Sequence, residues 1–220
     1  MTMLMLSQST PLIFMGDEFG NSQRGNNNPY CQDNRVAWLD WNDLQKNEAI
    51  YAFWQQMVKL RREHAVLRPA QENRIMDYLS CGYPDLSYHG ENAWRPRIES
   101  YNRHIGILYC GKYARNAKGE EDAFLYCAMN MYWEKQSLAL PKLPSGMEWK
   151  LLLSTEQETG HPGDAARMSE NPNSIKDEED IKDSKIQVPP RCCMLYAGVP
   201  IAGGKKKRNR KKPEAAMQNA

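Results

Sequence analysis

The stretch Thr10-Pro-Leu-Ile-Phe-Met-Gly-Asp-Glu-Phe-Gly20, continued by Gly25-Asn-Asn-Asn-Pro-Tyr-Cys-Gln-Asp-Asn34 and Trp38-Leu-Asp-Trp41, decides how the chain is read. Residues 12–15 are an apolar run short enough for one strand. A run without polar alternation predicts a strand covered on both faces, as in a parallel sheet. The run breaks at Gly16 into Asp17, Glu18 and then three consecutive asparagines. Polar residues gathered past the C-terminal end of such a strand are where a parallel barrel carries its chemistry. A carboxamide both donates and accepts hydrogen bonds, as a sugar hydroxyl does, so the predicted chemistry is recognition of a neutral, hydroxyl-rich ligand.

Before this stretch, residues 2–7 read as the end of a helix closed by Ser7-Gln-Ser-Thr-Pro11. A parallel strand needs neighbours and none precedes it, so the chain is expected to be a fragment. After it, Asn42, Asp43 and Asn47 are N-cap candidates for a helix. Ile50, Phe53, Met57 and Leu60 then make one apolar stripe expected to pack on a sheet, with Lys59, Arg61 and Arg62 suiting the negative end of the helix dipole. Pro69 ends that pattern. Residues 70–104 read as mostly loop. Beyond them, short strands are predicted at 105–110, 123–129, 148–153 and 191–197, more weakly at 137–140, separated by turn-rich connections at 111–122, 141–146 and 160–173. This spacing predicts an antiparallel β-sandwich. Residues 174–185 read as a charged, exposed insertion.

Composition narrows the class. Of 220 residues 41% are hydrophobic, which suffices for a core. The net charge is +2, but residues 205–212 carry seven positive charges, and removing those seven leaves −5 elsewhere. A mildly acidic body therefore carries a basic tail, expected to be disordered, and any attraction to nucleic acid belongs to that tail alone. It has no interleaved aromatics of the kind that stack on single-stranded bases. The six cysteines form no CxxC, and His64, His89, His104 and His161 are dispersed, so neither a metal nor a cofactor is expected. Cysteines within apolar runs read as small buried hydrophobes in a reduced, cytoplasmic protein. No apolar run approaches the ~18 residues of a membrane span.

Gly16-Asp-Glu-Phe-Gly20, Gln23-x-Gly-Asn-Asn-Asn-Pro-Tyr-Cys-Gln-Asp-Asn34 and Trp38-Leu-Asp-Trp41 resemble the bacterial isoamylase-type glycogen debranching enzymes, glycoside hydrolases of the α-amylase superfamily. Leu60-Arg-Arg-Glu-His64 with Leu67-Arg68 resembles that family's junction between barrel and C-terminal domain, and Tyr88-His-Gly90 its Trp-His-Gly feature. The resemblance covers residues 3–200 or so and is most specific over 10–41. Ser9 departs from the usual Gly before Thr-Pro, and Arg35 from a commoner acidic residue.

The resemblance implies the fold class α/β plus all-β. The last strand and helix of a (β/α)8 barrel would occupy 1–75, a connecting loop region 76–104, the sandwich 105–201 and the tail 202–220. It implies hydrolysis of α-1,6 branch linkages of glycogen or a related branched α-glucan by a retaining mechanism, whose Asp nucleophile, Glu acid/base and second Asp stand on earlier strands. None of the three is placed on this sequence, so the chain alone is expected to be inactive and to partner the missing N-terminal part.

The candidate substrate-binding residues are Asp17, Glu18, Asn26, Asn27, Asn28, Tyr30, Gln32 and Asp33. Each has a plainer reading. Adjacent carboxylates on one strand diverge, and a buried one needs hydrogen bonds, so Asp17 and Glu18 either support the barrel mouth or touch sugar. Asparagines often satisfy their own loop. Tyr30, and less directly Trp38 and Trp41, offer rings that stack on a sugar. Cys31 has no nearby His and reads as a small buried residue. The alternatives to an enzyme part are a non-catalytic glucan-binding or accessory module, and a nucleic-acid binder acting through 205–212.

Overall fold

The structure, a computed structural model, describes residues 1–156 and 185–201. The connection expected at 160–173, His161, the charged insertion short of Lys185 and the basic tail lie outside the described residues. Among the described residues seven strands follow one another from Leu86 onward: β1 (Leu86–His89), β2 (His104–Tyr109), β3 (Leu125–Asn130), β4 (Gln136–Ala139), β5 (Met147–Ser154), β6 (Lys185–Val188) and β7 (Cys192–Pro200). Five of them form one sheet in the order β1-β2-β3-β7-β5, and β4 pairs with β6 in a second. Every pairing is antiparallel.

Central strand β3 explains the layering. Successive side chains point to opposite faces, and here both faces are apolar. Leu125 and Cys127 share one face with Tyr109, Leu195 and Leu153, while Tyr126 and Ala128 share the other with Leu108 and Tyr196. Leu138, Ile186 and Val188 of the small sheet cover that second face. Two hydrogen bonds hold the cover in place, from Tyr126 Oη to the Ala139 carbonyl at 2.8 Å and from Trp149 Nε1 to the Pro141 carbonyl at 2.8 Å. Gly106, opposite Ala128, leaves room for the Tyr126 hydroxyl, which a Cβ at 106 would strike.

Helices cover the first face. α1 (Thr2–Leu6) confirms the helix end read at the N-terminus. α2 (Asn42–Lys46) leads into α3 (Glu48–Glu63), which runs on past the expected stripe. Phe53, Met57 and Leu60 are buried and Ile50 packs partly buried beside them, against Met5, Leu6 and the sheet. Each fully buried side chain of this size contributes roughly 1.5–3 kcal/mol. The stripe packs on a sheet as expected, and that sheet is the antiparallel one. Asn47 does occupy the N-cap position of α3, yet its carboxamide donates to the Phe19 carbonyl at 2.9 Å and caps nothing.

Two expectations are corrected. Residues 12–15 are not a buried strand: residues 12–14 have no regular secondary structure and Met15 opens the turn at Gly16, with Leu12 89% and Met15 65% exposed. No strand of the described chain lies beside them to take their backbone hydrogen bonds. Residues 70–104 are not all loop, since β1 lies within them and pairs with β2 in register from Leu86 opposite Tyr109 to His89 opposite Gly106. Cys110, Cys127, Cys192 and Cys193 are buried and unpaired, as read. Burial pushes the Cys110 thiol up to about 12 and that of Cys193 to about 11. Among the described residues no helix is long and apolar enough to cross a membrane.

Candidate functional site

Gly16 and Gly20, both at positive φ (95° and 76°), bracket a single 3-10 turn, Asp17–Phe19. A Cβ at Gly16 would come within 2.6 Å of both Asn21 Cβ and Leu39 Cδ2, so only glycine fits there. Phe19 plugs the turn into the body at 2% exposed. The two carboxylates close the turn on itself. Asp17 Oδ2 accepts the Phe14 N–H at 3.2 Å, and Glu18 Oε2 accepts the Gly16 N–H at 3.0 Å. Both are thus engaged by neighbouring amides, and Asp17 is exposed rather than buried in a mouth.

The asparagine loop is similarly knit. Asn26 Oδ1 accepts the Asn28 N–H at 2.9 Å while its Nδ2 donates to Gln32 Oε1 at 3.2 Å. Asn28 Oδ1 accepts the Tyr30 N–H at 3.4 Å, and Gln32 Nε2 donates to the Asn28 carbonyl at 3.4 Å. Asp33 Oδ1 accepts the Trp38 indole N–H at 2.8 Å. Side chains 26, 28 and 32 therefore form one cluster and 33 with 38 another. Asn27 and Tyr30 stand apart: both are exposed, Tyr30 at 82%, and neither side chain has a hydrogen bond among the described residues. The fixed groups shape the loop and these two are free to meet a ligand. Cys31 is exposed at φ +61°, which corrects its reading as a buried residue; the loop has no core beneath it.

Several polar residues that tie the helices to one another and to the β domain carry little sequence signal. Arg61, read as a cation suited to its own helix dipole, turns across to α1. Its guanidinium donates to the carbonyls of Met5 (2.6 Å), Ser7 (2.7 Å) and Ser9 (2.8 Å) and is 8% exposed. Burial, then the neighbouring Arg68, lowers its pKa. Tyr109 Oη donates to the Leu6 carbonyl at 2.6 Å. At the far end of α3, Asp122 accepts from the Val66 N–H at 2.8 Å and sits 2.9 Å from His64 Nδ1. Burial alone would raise the Asp122 carboxyl, but these bonds outweigh it and hold it below its ordinary value.

His89, in the Tyr88-His-Gly90 motif, is fully buried. The Trp94 N–H donates to its Nδ1 at 2.9 Å, so the neutral ring carries its proton on Nε2, 2.9 Å from Ser87 Oγ. Burial pushes its pKa down to about 4. Edge-on packing against Trp94 and Tyr126 makes it a structural pivot of the turn after β1. The motif was the only sign of this in the sequence.

No family model matches the chain. It is 30% identical over 173 residues to the glycogen operon protein GlgX homolog of Mycobacterium tuberculosis, covering 71% of this chain and 23% of that protein. It is 53% identical over 68 residues to the glycogen debranching enzyme of Dickeya chrysanthemi, covering 31% of this chain and 10% of that one. Among solved structures, the pullulanase from Bacillus acidopullulyticus matches with a TM-score of 0.55 at 17% identity, over 89% of this chain and 19% of the other. Pullulanase type I from Bacillus subtilis, complexed with maltose, matches with a TM-score of 0.55 at 14% identity, over 89% and 22%. At such identities the structural likeness speaks for the fold. The chain thus spans under a quarter of the curated relatives it matches. In sequence it is a relative of the bacterial glycogen debranching enzymes, corresponding to part of their length, and in fold, with its C-terminal antiparallel β domain, it is similar to part of the pullulanases.

Proposed function

We propose that the chain is the C-terminal part of a glycogen-debranching glycoside hydrolase of the α-amylase superfamily, working in the cytoplasm on α-1,6 branch linkages. The observation that carries this reading is the 53% identity to the Dickeya chrysanthemi glycogen debranching enzyme over 68 residues. In this reading residues 1–75 complete a (β/α)8 barrel and 105–201 are its C-terminal sandwich. The loop from Asn26 to Asp33 lines a glucan subsite, with the Tyr30 ring stacking on a sugar and the Asn27 carboxamide meeting its hydroxyls. Asp17 and Glu18 hold the turn that presents this loop. A retaining glycosidase needs two carboxyl groups roughly 5–5.5 Å apart across the bond. Asp17 and Glu18 are instead each bound to their own turn, so the 220 residues alone do not hydrolyse.

A second reading, a non-catalytic glucan-binding module, is favoured by the same free pair, Asn27 and Tyr30. Two measurements on the purified chain separate the readings. Glycogen limit dextrin should release no linear chains, and release would overturn the assignment of catalysis to other segments. Titration with maltooligosaccharides should show binding that weakens about tenfold in Tyr30→Ala, as expected for loss of a stacked ring worth about 1.4 kcal/mol or more. Unchanged affinity in that variant would remove the loop from the glucan site.

A further inference from the structure

Two thiols far apart in the sequence meet in the apolar cluster that the small sheet covers. Cys110 follows the last residue of β2 and is fully buried, and its N–H donates to the Asp85 carbonyl at 3.0 Å. Cys81 packs half-buried against the same cluster from the loop before β1. That loop is tightly built. Asp77 accepts the N–H groups of Cys81 at 2.9 Å and of Gly82 at 2.7 Å, and the Tyr113 hydroxyl donates to it at 2.7 Å. Cys81 Sγ lies 3.4 Å from the Tyr83 carbonyl and 3.6 Å from the Tyr113 hydroxyl. Tyr113 ends the 3-10 turn Gly111–Tyr113 that Cys110 opens, so these contacts carry the Cys81 thiol to the end of β2. Burial is the largest cause that raises the Cys110 thiol to about 12, and hydrogen-bonding contact with the Cys81 thiol adds to it.

We infer that Cys81 and Cys110 are a site of reversible oxidation, forming a disulfide that staples the Asp77 loop to the end of β2. Such a staple is independent of the debranching reading, since it involves no candidate sugar contact. Solvent access selects this pair. Cys127, Cys192 and Cys193 also lie near one another, but all three are buried. Cys31 is exposed, but no described contact brings a second thiol to it. Cys81 alone combines access with a partner. Its thiolate attacks a low-molecular-weight disulfide such as oxidised glutathione, breaking the S–S bond and releasing one glutathione thiolate. Cys110, losing its proton to solvent, then attacks Cys81 Sγ and expels the second glutathione. Two protein thiols are oxidised, one disulfide is reduced to two thiols, and the two protons end on the leaving thiolates. The Lys112 ammonium, 3.3 Å from the Cys81 carbonyl, favours thiolate at Cys110. In a reducing compartment a disulfide of this kind is transient and redox-sensing.

The test is incubation of the full chain with oxidised glutathione, followed by intact mass and peptide mapping. Cys31→Ser in the exposed loop removes the unrelated surface thiol. The expected product is two hydrogens lighter, contains a Cys81–Cys110 cross-link and returns to its starting mass with dithiothreitol. Cys110→Ala should instead trap one glutathione on Cys81. Cys81→Ser should leave Cys110 unmodified, because that sulfur is buried. In the oxidised chain the amides of Cys81 and Gly82 should exchange about tenfold more slowly, as a pinned loop opens less often. An unchanged mass, a disulfide between any other pair, or a mixed disulfide at Cys81 that never resolves with Cys110 present would each overturn the proposal. So would unchanged exchange in the oxidised chain, or cross-linking that forms only in urea, which would come from the unfolded chain.

Discussion

Replacing Arg61 by methionine should lower the stability of the chain by about 2–4 kcal/mol. The guanidinium makes three bonds to carbonyls at 2.6–2.8 Å, and hydrogen bonds to a charged partner contribute about 1.5–3 kcal/mol each. Against that gross gain stands the removal of a cation from water, several kcal/mol for a buried ion. The lowered pKa of Arg61 reflects the same burial. Methionine keeps the apolar stem in place and relieves the buried charge, so most of the two large terms cancel. What remains is a set of carbonyls, Met5 foremost, left without donors at about 1–3 kcal/mol for a buried one. Arg61→Lys should recover less than half of the loss, because one ammonium on a flexible stem cannot meet three carbonyls in the directions a planar fork does. Urea denaturation at neutral pH gives the stabilities, and amide exchange over residues 2–9 locates the effect. A methionine variant within 0.5 kcal/mol of the parent, a threshold set by ordinary surface substitutions, or a lysine variant equal to it, would refute the carbonyl clamp.

Two further outcomes follow from the sheet. His89 has its folded pKa depressed from 6.5 to about 4 by burial, so its neutral form is favoured on folding. The stability this allows is fully present above pH 6.5 and is lost as pH falls towards 4, by about 3 kcal/mol in all; His89→Gln should flatten the stability profile in that window, and an unchanged slope would exclude the ring as its source. Gly106→Ala should cost about 2 kcal/mol or more, as overpacked cores do, because the new methyl meets the Tyr126 hydroxyl, which is held to the Ala139 carbonyl. Adding Tyr126→Phe should return part of that loss, and strict additivity of the two changes in thermal unfolding would show that they do not touch.

The parts of the fold legible in the sequence were those set by local period. The stripe Ile50, Phe53, Met57, Leu60 located α3, and short apolar runs located β2, β3, β5 and β7 to within two or three residues. β1 was missed because Leu-Ser-Tyr-His has no β-branched residue and sits among turn-forming neighbours. β6 was missed because Lys185-Ile-Gln-Val188 follows a charged run and alternates over only four positions. Residues 12–15 were read as a buried strand and form none here, because pairing is a property of neighbours, which sequence period does not supply. Arg61 shows the same limit: three and four residues along a helix define its face, not the distant carbonyls a long side chain reaches. In the loop, residue types pointed to hydroxyl recognition, whereas which carboxamides were already engaged depended on the exact turn geometry at Asn26 and Asn28.

The Asn47 carboxamide makes no hydrogen bond to its own helix and donates instead to the carbonyl of Phe19, whose ring lies 5.8 Å from that of Trp41. Helix α3 begins at this point, and beyond its far end His64 meets Asp122, three residues before β3. The turn bearing Asp17 and Glu18 is therefore bolted to the same beam that rests on the antiparallel sheet. The β domain, which carries none of the candidate sugar contacts, acts as their foundation. A substitution that tilts α3 on the sheet, such as one at Met57, would move the turn at Phe19 and, through it, the asparagine loop without touching either.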